Sequence, residues 1–94
     1  DVEVIDSKKE KIIAVNDEGK VEQKITPPIS DIKGIERVGK KLLVFNKEIL
    51  VIINDSGKVE EKYKGEDEIF NVHLIGKKGF AIEYMNHLDI YSRK

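Results

Sequence analysis

Two nearly identical stretches decide how this chain reads: NDEGKVEQK at Asn16–Lys24 and NDSGKVEEK at Asn54–Lys62, 38 residues later. In each, Asn and Asp side chains can bond nearby backbone. Gly19 or Gly57 can then take the positive φ of a hairpin with a G1 bulge. Each turn follows a β-branched apolar run and precedes a charged one. A tight turn written twice, at a spacing of nearly forty residues, marks a repeated supersecondary unit.

Working outward gives three copies. The second is IERVGKKLLVFNKEILVIINDSGKVEEKY, Ile35–Tyr63, and a diverged third is VHLIGKKGFAIEYMNHLDIYS, Val72–Ser92. Gly39-Lys40-Lys41 matches Gly76-Lys77-Lys78 at an offset of 37, and Leu50-Val51-Ile52 matches Leu88-Asp89-Ile90 at 38. The difference predicts one extra residue in the intervening turn. The first copy starts late, at Val2, and runs to Ile25.

The second copy divides into four strand-sized pieces: Ile35–Val38, Leu42–Asn46, Ile49–Asn54 and Lys58–Lys64. No helical period survives across them, and β-branched residues dominate. LLVF and ILVII are continuously apolar, so both faces of those strands are expected to be buried, whereas a half-covered strand would alternate. KVEEKYK repeats Lys along its length, as suits an exposed sheet edge that must not pair with strangers. The reading is an all-β antiparallel meander of about ten strands.

The four-strand repeat with its [ND]-x-x-G-K-V turn resembles WD40-like and quinoprotein-like β-propeller repeats, over nearly the whole chain. The resemblance implies two to three blades packed face to face. It places strands 2-3-4, then 1-2-3-4, then 1-2-3, counted outward from a channel. Residues 1–94 then form a single all-β repeat domain. A closed ring needs more blades, supplied by a longer protein or by further copies of the chain. An open meander sheet or a β-sandwich is the alternative. The linker TPPISDIKG, with Pro27 and Pro28 unable to donate ladder hydrogen bonds, and its counterpart GEDEIF would be crossing loops on a ring face. The first residue is Asp1 rather than Met, as expected of a processed product or a piece of a longer chain.

Composition narrows the function. Lys and Arg number 17 against 18 Asp and Glu, a balance that argues against a nucleic-acid binder, which carries a basic face. The longest apolar run, Ile49–Ile53, is far short of a membrane span. Without Cys there are no disulfides, thiolate zinc sites or cysteine nucleophiles, and the compartment stays undecided. The Lys/Glu/Ile-rich composition resembles that of a thermophile.

Candidate chemistry is sparse. His73 and His87 could join carboxylates such as Glu83 or Asp89 at a metal, but they lie on different strands and their spacing matches no ligand motif. No metal or cofactor is therefore expected. NDEG and NDSG lack the alternating oxygen ligands and closing Glu of an EF-hand. GEDE, Gly65–Glu68, clusters three carboxylates, but neighbours in one loop lack the fixed separation that acid–base pairs need. No G-x-S-x-G elbow accompanies the serines, and neither GKK belongs to a phosphate-binding loop. The aromatics Tyr63, Tyr84, Tyr91, Phe45, Phe70 and Phe80 fall in or beside strands, where packing accounts for them.

By analogy with proteins built from such repeats, the expected function is a non-catalytic protein-interaction platform. Its partner would be another protein or the chain's own copies, in a homo-oligomer. Binding is expected on loop residues Asp31, Lys33, Glu66, Asp67 and Glu68. Two alternatives stay open. One is a fragment of a propeller hydrolase, lactonase or quinoprotein oxidoreductase, with Glu36, Arg37, His73 and Leu74 facing a channel. The other is a self-assembling structural repeat protein.

Overall fold

The computed structural model describes residues 2–6, 11–15, 18–26, 28–76 and 79–92. Asn16 and Asp17 of the first repeated turn, Pro27 of the linker, and Lys77 and Lys78 of the second GKK lie outside them.

Among the described residues ten strands form, all antiparallel to their neighbours, in three separate sheets that do not close into a barrel. The first sheet contains β1 (Val2–Asp6), β2 (Lys11–Val15) and β3 (Val21–Ile25). The second contains β4 (Gly34–Val38), β5 (Lys41–Phe45), β6 (Ile49–Ile53) and β7 (Val59–Lys64). The third contains β8 (Asn71–Ile75), β9 (Gly79–Glu83) and β10 (Leu88–Ser92). Strand order within each sheet follows the chain. By contact density the chain divides into two units, Asp1–Asp31 and Ile32–Lys94. The first unit holds the first sheet, and the second unit holds the other two.

The glycines of the repeated turns do what the sequence dictates. Gly19 and Gly57 have φ of 82° and 86°. In the second copy the Gly57 amide donates to the Asn54 carbonyl at 3.0 Å, and the Asn54 amide donates to the Lys58 carbonyl at 2.8 Å. Asn54 Oδ1 also accepts from the amides of Ser56 and Lys58 and from the Ser56 hydroxyl. The register then slips between Ile52 and Ile53, and in the first sheet it slips between Ala14 and Val15, 38 residues earlier. The strands flanking both turns therefore carry an irregularity at the same repeat position.

The core of the second unit lies between its two sheets. β5 and β6 are buried on both faces, as their unbroken apolar runs predict. One face, with Leu43, Phe45, Leu50 and Ile52, packs against Val72, Phe80 and Ile82 of the third sheet and against Ile69 and Tyr84 beside it. Phe45 lies over Gly34, its cross-strand partner, where a Cβ would come within 2.6 Å of the ring. Tyr63, Phe80 and Tyr91 join β7, β9 and β10 in an aromatic cluster, with Phe80 and Tyr91 stacked at 4.9 Å. β7 is an outer strand whose side chains are exposed or half-buried, as its charge predicts.

The extra residue of the third copy lies earlier than the turn before β10. Three residues separate Ile75 from its partner Gly79, against two between Val38 and Lys41. The turns before β6 and β10 are equal in length, because Phe45 pairs with Leu50 and Glu83 pairs with Leu88. β9 therefore matches β5 at an offset of 38, and Phe80 matches Leu42 rather than Leu43. Because strand side chains alternate, that one residue decides which face of β9 meets the core.

By this register the two sheets stack in one direction. The front of the second sheet (Leu43, Leu50, Ile52) receives the back of the third. The back of the third sheet, with Phe80 and Ile82, corresponds to Leu42 and Val44. The front of the third sheet, with Ala81, Leu88 and Ile90, is its other face.

Candidate functional site

The site begins with connections that gather at one end of the second unit. The turn between β5 and β6 is closed by Asn46, whose amide donates to the Ile49 carbonyl at 3.0 Å. Its Oδ1 accepts the amides of Glu48 and Ile49. The connection from β7 to β8 then folds back over this turn. The Gly65 amide donates to Glu48 O and the Ile69 amide to Lys47 O, each at 2.8 Å, while the Ile69 side chain is fully buried. Two backbone bonds and one apolar anchor hold GEDE against a neighbouring turn. The expectation of a loop with nothing to fix its geometry is corrected to that extent.

Lys33 works in the same assembly. Its amide donates to Phe45 O at 2.8 Å, its ammonium donates to Ile69 O at 2.9 Å, and its charge lies 5.4 Å from the Phe70 ring centroid. Such contacts make Lys33 a strut beneath the loop. Asp67 and Glu68 line an open groove of about 460 Å³ together with Lys47, Glu48, Lys64 and Gly65. The Glu68 amide donates to Asp67 Oδ1 at 2.8 Å. Asp31 ends the first unit with a φ of 52°. Of the five residues expected to bind, Glu66, Asp67 and Glu68 share one loop and Lys33 supports it.

The turn between β9 and β10 brings a third segment to this end. The Tyr84 amide donates to His87 O at 2.9 Å, and the two rings stack with centroids 4.6 Å apart. Tyr84 Oη accepts the Glu66 amide at 3.3 Å, linking this turn to the GEDE loop. His87 Nε2 consequently lies 3.7 Å from Glu66 Oε2 and 3.8 Å from Asp89 Oδ1. Burial raises the Tyr91 phenol above its ordinary value, and Tyr84, Asp89 and Glu66 push it further in the same direction.

The two histidines do not converge. His73, on β8, pairs with Glu83 at 2.6 Å on the front of the third sheet. His87 meets Asp89 and also Glu66, a partner that sequence spacing did not single out, since Glu66 and His87 stand 21 positions apart. The one available signal was that both lie in connections on the same side of their sheets.

A second feature is apolar. On the third sheet Ile75, Leu88 and Ile90 are exposed, Ile90 at 68%. They surround the small Gly79 and Ala81 on the front face, with the His73–Glu83 pair beside them. Among the described residues, no helix is long and apolar enough to cross a membrane.

Comparison with family models, with curated proteins and with solved structures gives no match.

Proposed function

We propose that the chain is a non-catalytic protein-interaction module built from β-propeller-type repeats. The front of its third sheet takes a further sheet of its own kind, from a second copy of the chain. One observation carries the reading. Leu88 and Ile90 stand at the register positions of Leu50 and Ile52, which are fully buried where they receive the following sheet. Leu88 is 54% exposed and Ile90 68%. The same apolar pair is thus present on both sheets but covered on one.

The internal packing supports one kind of occupant for such a front, the apolar back of a meander sheet seated in the same direction. A second copy can offer β1–β3, where Val21 is 52% exposed and corresponds to Val59 on the back of the second sheet. Contacts of this kind are heterologous, and copies joined by them form a ring where the rotation closes and an open filament where it does not. The resemblance to propeller repeats supports the same arrangement, because blades of one ring stack front to back.

Light scattering coupled to size exclusion tests the reading. The expected result is an oligomer of defined mass that becomes a monomer in Ile90→Asp while keeping its β circular dichroism. A monomer across about a hundredfold range of concentration, up to roughly millimolar, would overturn the proposed partner. An oligomer indifferent to Ile90→Asp would move the contact to another face.

A further inference from the structure

We propose that Glu66, His87 and Asp89 form a binding site for a divalent transition-metal ion of the zinc type. The inference is independent of the docking face, since it rests on the loop end of the second unit.

Three groups of ligand type meet there from three different places. Glu66 comes from the β7–β8 connection, His87 from the turn before β10, and Asp89 from β10 itself. One donor atom from each lies within 4.8 Å of the other two. The two separations, 3.7 and 3.8 Å from the imidazole nitrogen, are too long for hydrogen bonds. They are close to the separation of two ligands on one ion. Zinc–nitrogen and zinc–oxygen bonds of about 2.0–2.2 Å at a tetrahedral angle place the donors roughly 3.4 Å apart.

The outer contact of the ring fits the same use. His87 Nδ1 lies 3.1 Å from Asn86 Oδ1. With its proton on Nδ1, donated to that amide oxygen, the ring offers the lone pair of Nε2 to an ion held between the two carboxylates. An outer partner on the far nitrogen is the usual support of a metal-bound histidine.

The ring is held as well as oriented. It stacks on Tyr84, and the hydroxyl of Tyr84 accepts the backbone amide of Glu66. The two loops that bring the ligands are therefore tied through one tyrosine. His73 supplies the contrast: its Nε2 makes an ordinary 2.6 Å contact to Glu83, with no third ligand group gathered around it among the described residues. One imidazole with two carboxylates suits zinc and its first-row neighbours better than calcium or magnesium, which take oxygen-only sets.

Calorimetric titration of the full chain with zinc chloride, followed by NMR of the two histidine rings, tests the site. The expected result is one zinc per chain, with the His87 ring protons shifting and those of His73 unmoved. His87→Ala and Asp89→Asn should each weaken binding about tenfold or more. Glu66→Gln should weaken it in the same direction. Each substituted side chain is exposed or half-buried, so the fold should persist, as circular dichroism can verify. Absence of heat and of shifts up to about millimolar zinc overturns the proposal. So does binding that tracks His73, or binding that survives unchanged in His87→Ala.

Discussion

Leu50 and Leu88 occupy the same register position in consecutive sheets, yet Leu50 is fully buried and Leu88 is 54% exposed. The difference comes from what each faces. Leu50 meets the back of the third sheet, with Phe80 and Ile82 in the same cluster. Removing the two leucines in turn should therefore give opposite signatures. Leu50→Ala is expected to destabilise the fold by about 2–5 kcal/mol, the range for emptying a well-packed leucine site. Leu88→Ala should change monomer stability by less than about 0.5 kcal/mol while weakening assembly. Urea unfolding at low protein concentration reads the first effect, and light scattering reads the second.

Gly34 and Phe45 should behave as a coupled pair. A Cβ at Gly34 would lie 2.6 Å from one ring carbon of Phe45 and 2.7 Å from another, well inside contact distance. Because Phe45 is buried, its ring cannot simply swing away. Gly34→Ala is expected to cost about 1–3 kcal/mol through overpacking. In a Phe45→Leu background the same change should cost clearly less. A double-mutant cycle by chemical denaturation measures that coupling, and additive costs would mean the ring is not what excludes the methyl group.

The repeated turn predicts a third effect. Gly57 holds a φ of 86° with open space around its would-be side chain, so any penalty for Gly57→Ala is conformational rather than steric crowding. The left-handed conformation costs a residue with a Cβ about 1–2 kcal/mol. Asn54→Ala removes an acceptor used by two amides and one hydroxyl, at an expected cost of about 1 kcal/mol. Both variants should lower the thermal midpoint without changing the sheet signature in circular dichroism.

Alkaline pH should weaken the fold through Tyr91. Its phenol is raised above the ordinary tyrosine value, chiefly by burial and then by Tyr84, Asp89 and Glu66. The folded chain thus holds this proton more tightly than the unfolded chain does. Its contribution to stability is full below the unfolded value, about pH 10, and is lost as pH rises through the higher folded value. Tyr91→Phe should flatten that part of the profile. Urea midpoints between about pH 9 and about pH 11 compare the two proteins, and an identical slope would place the alkaline loss elsewhere.

Local chemistry wrote much of this architecture into the sequence. The paired Asn-Asp-x-Gly turns, the doubly apolar runs at Leu42–Phe45 and Ile49–Ile53, and the charged Val59–Lys64 each depend on residues next to one another. Strand order and the three-four-three grouping follow from them, because a hairpin is made by neighbours. The loop end was legible only in part. Glu66, Asp67 and Glu68 stood out as a carboxylate cluster, whereas the role of Lys33 as a strut depends on Ile69 O, 36 residues away.

Tertiary structure decided what contacts between distant residues decide. One residue added between Ile75 and Gly79 turns Phe80 and Ile82 toward the second sheet and leaves Ala81 on the front with Leu88 and Ile90. Sequence offsets alone allowed that residue in a later turn, which would have reversed β9, since strand faces alternate with every residue. His87 with Glu66 is the same kind of result. Their meeting requires two connections to fold onto one sheet end, and no spacing along the chain encodes that distance. The sequence by itself determined where the chain turns and which strands are covered. Packing between sheets decided which apolar face stays open and which polar groups meet.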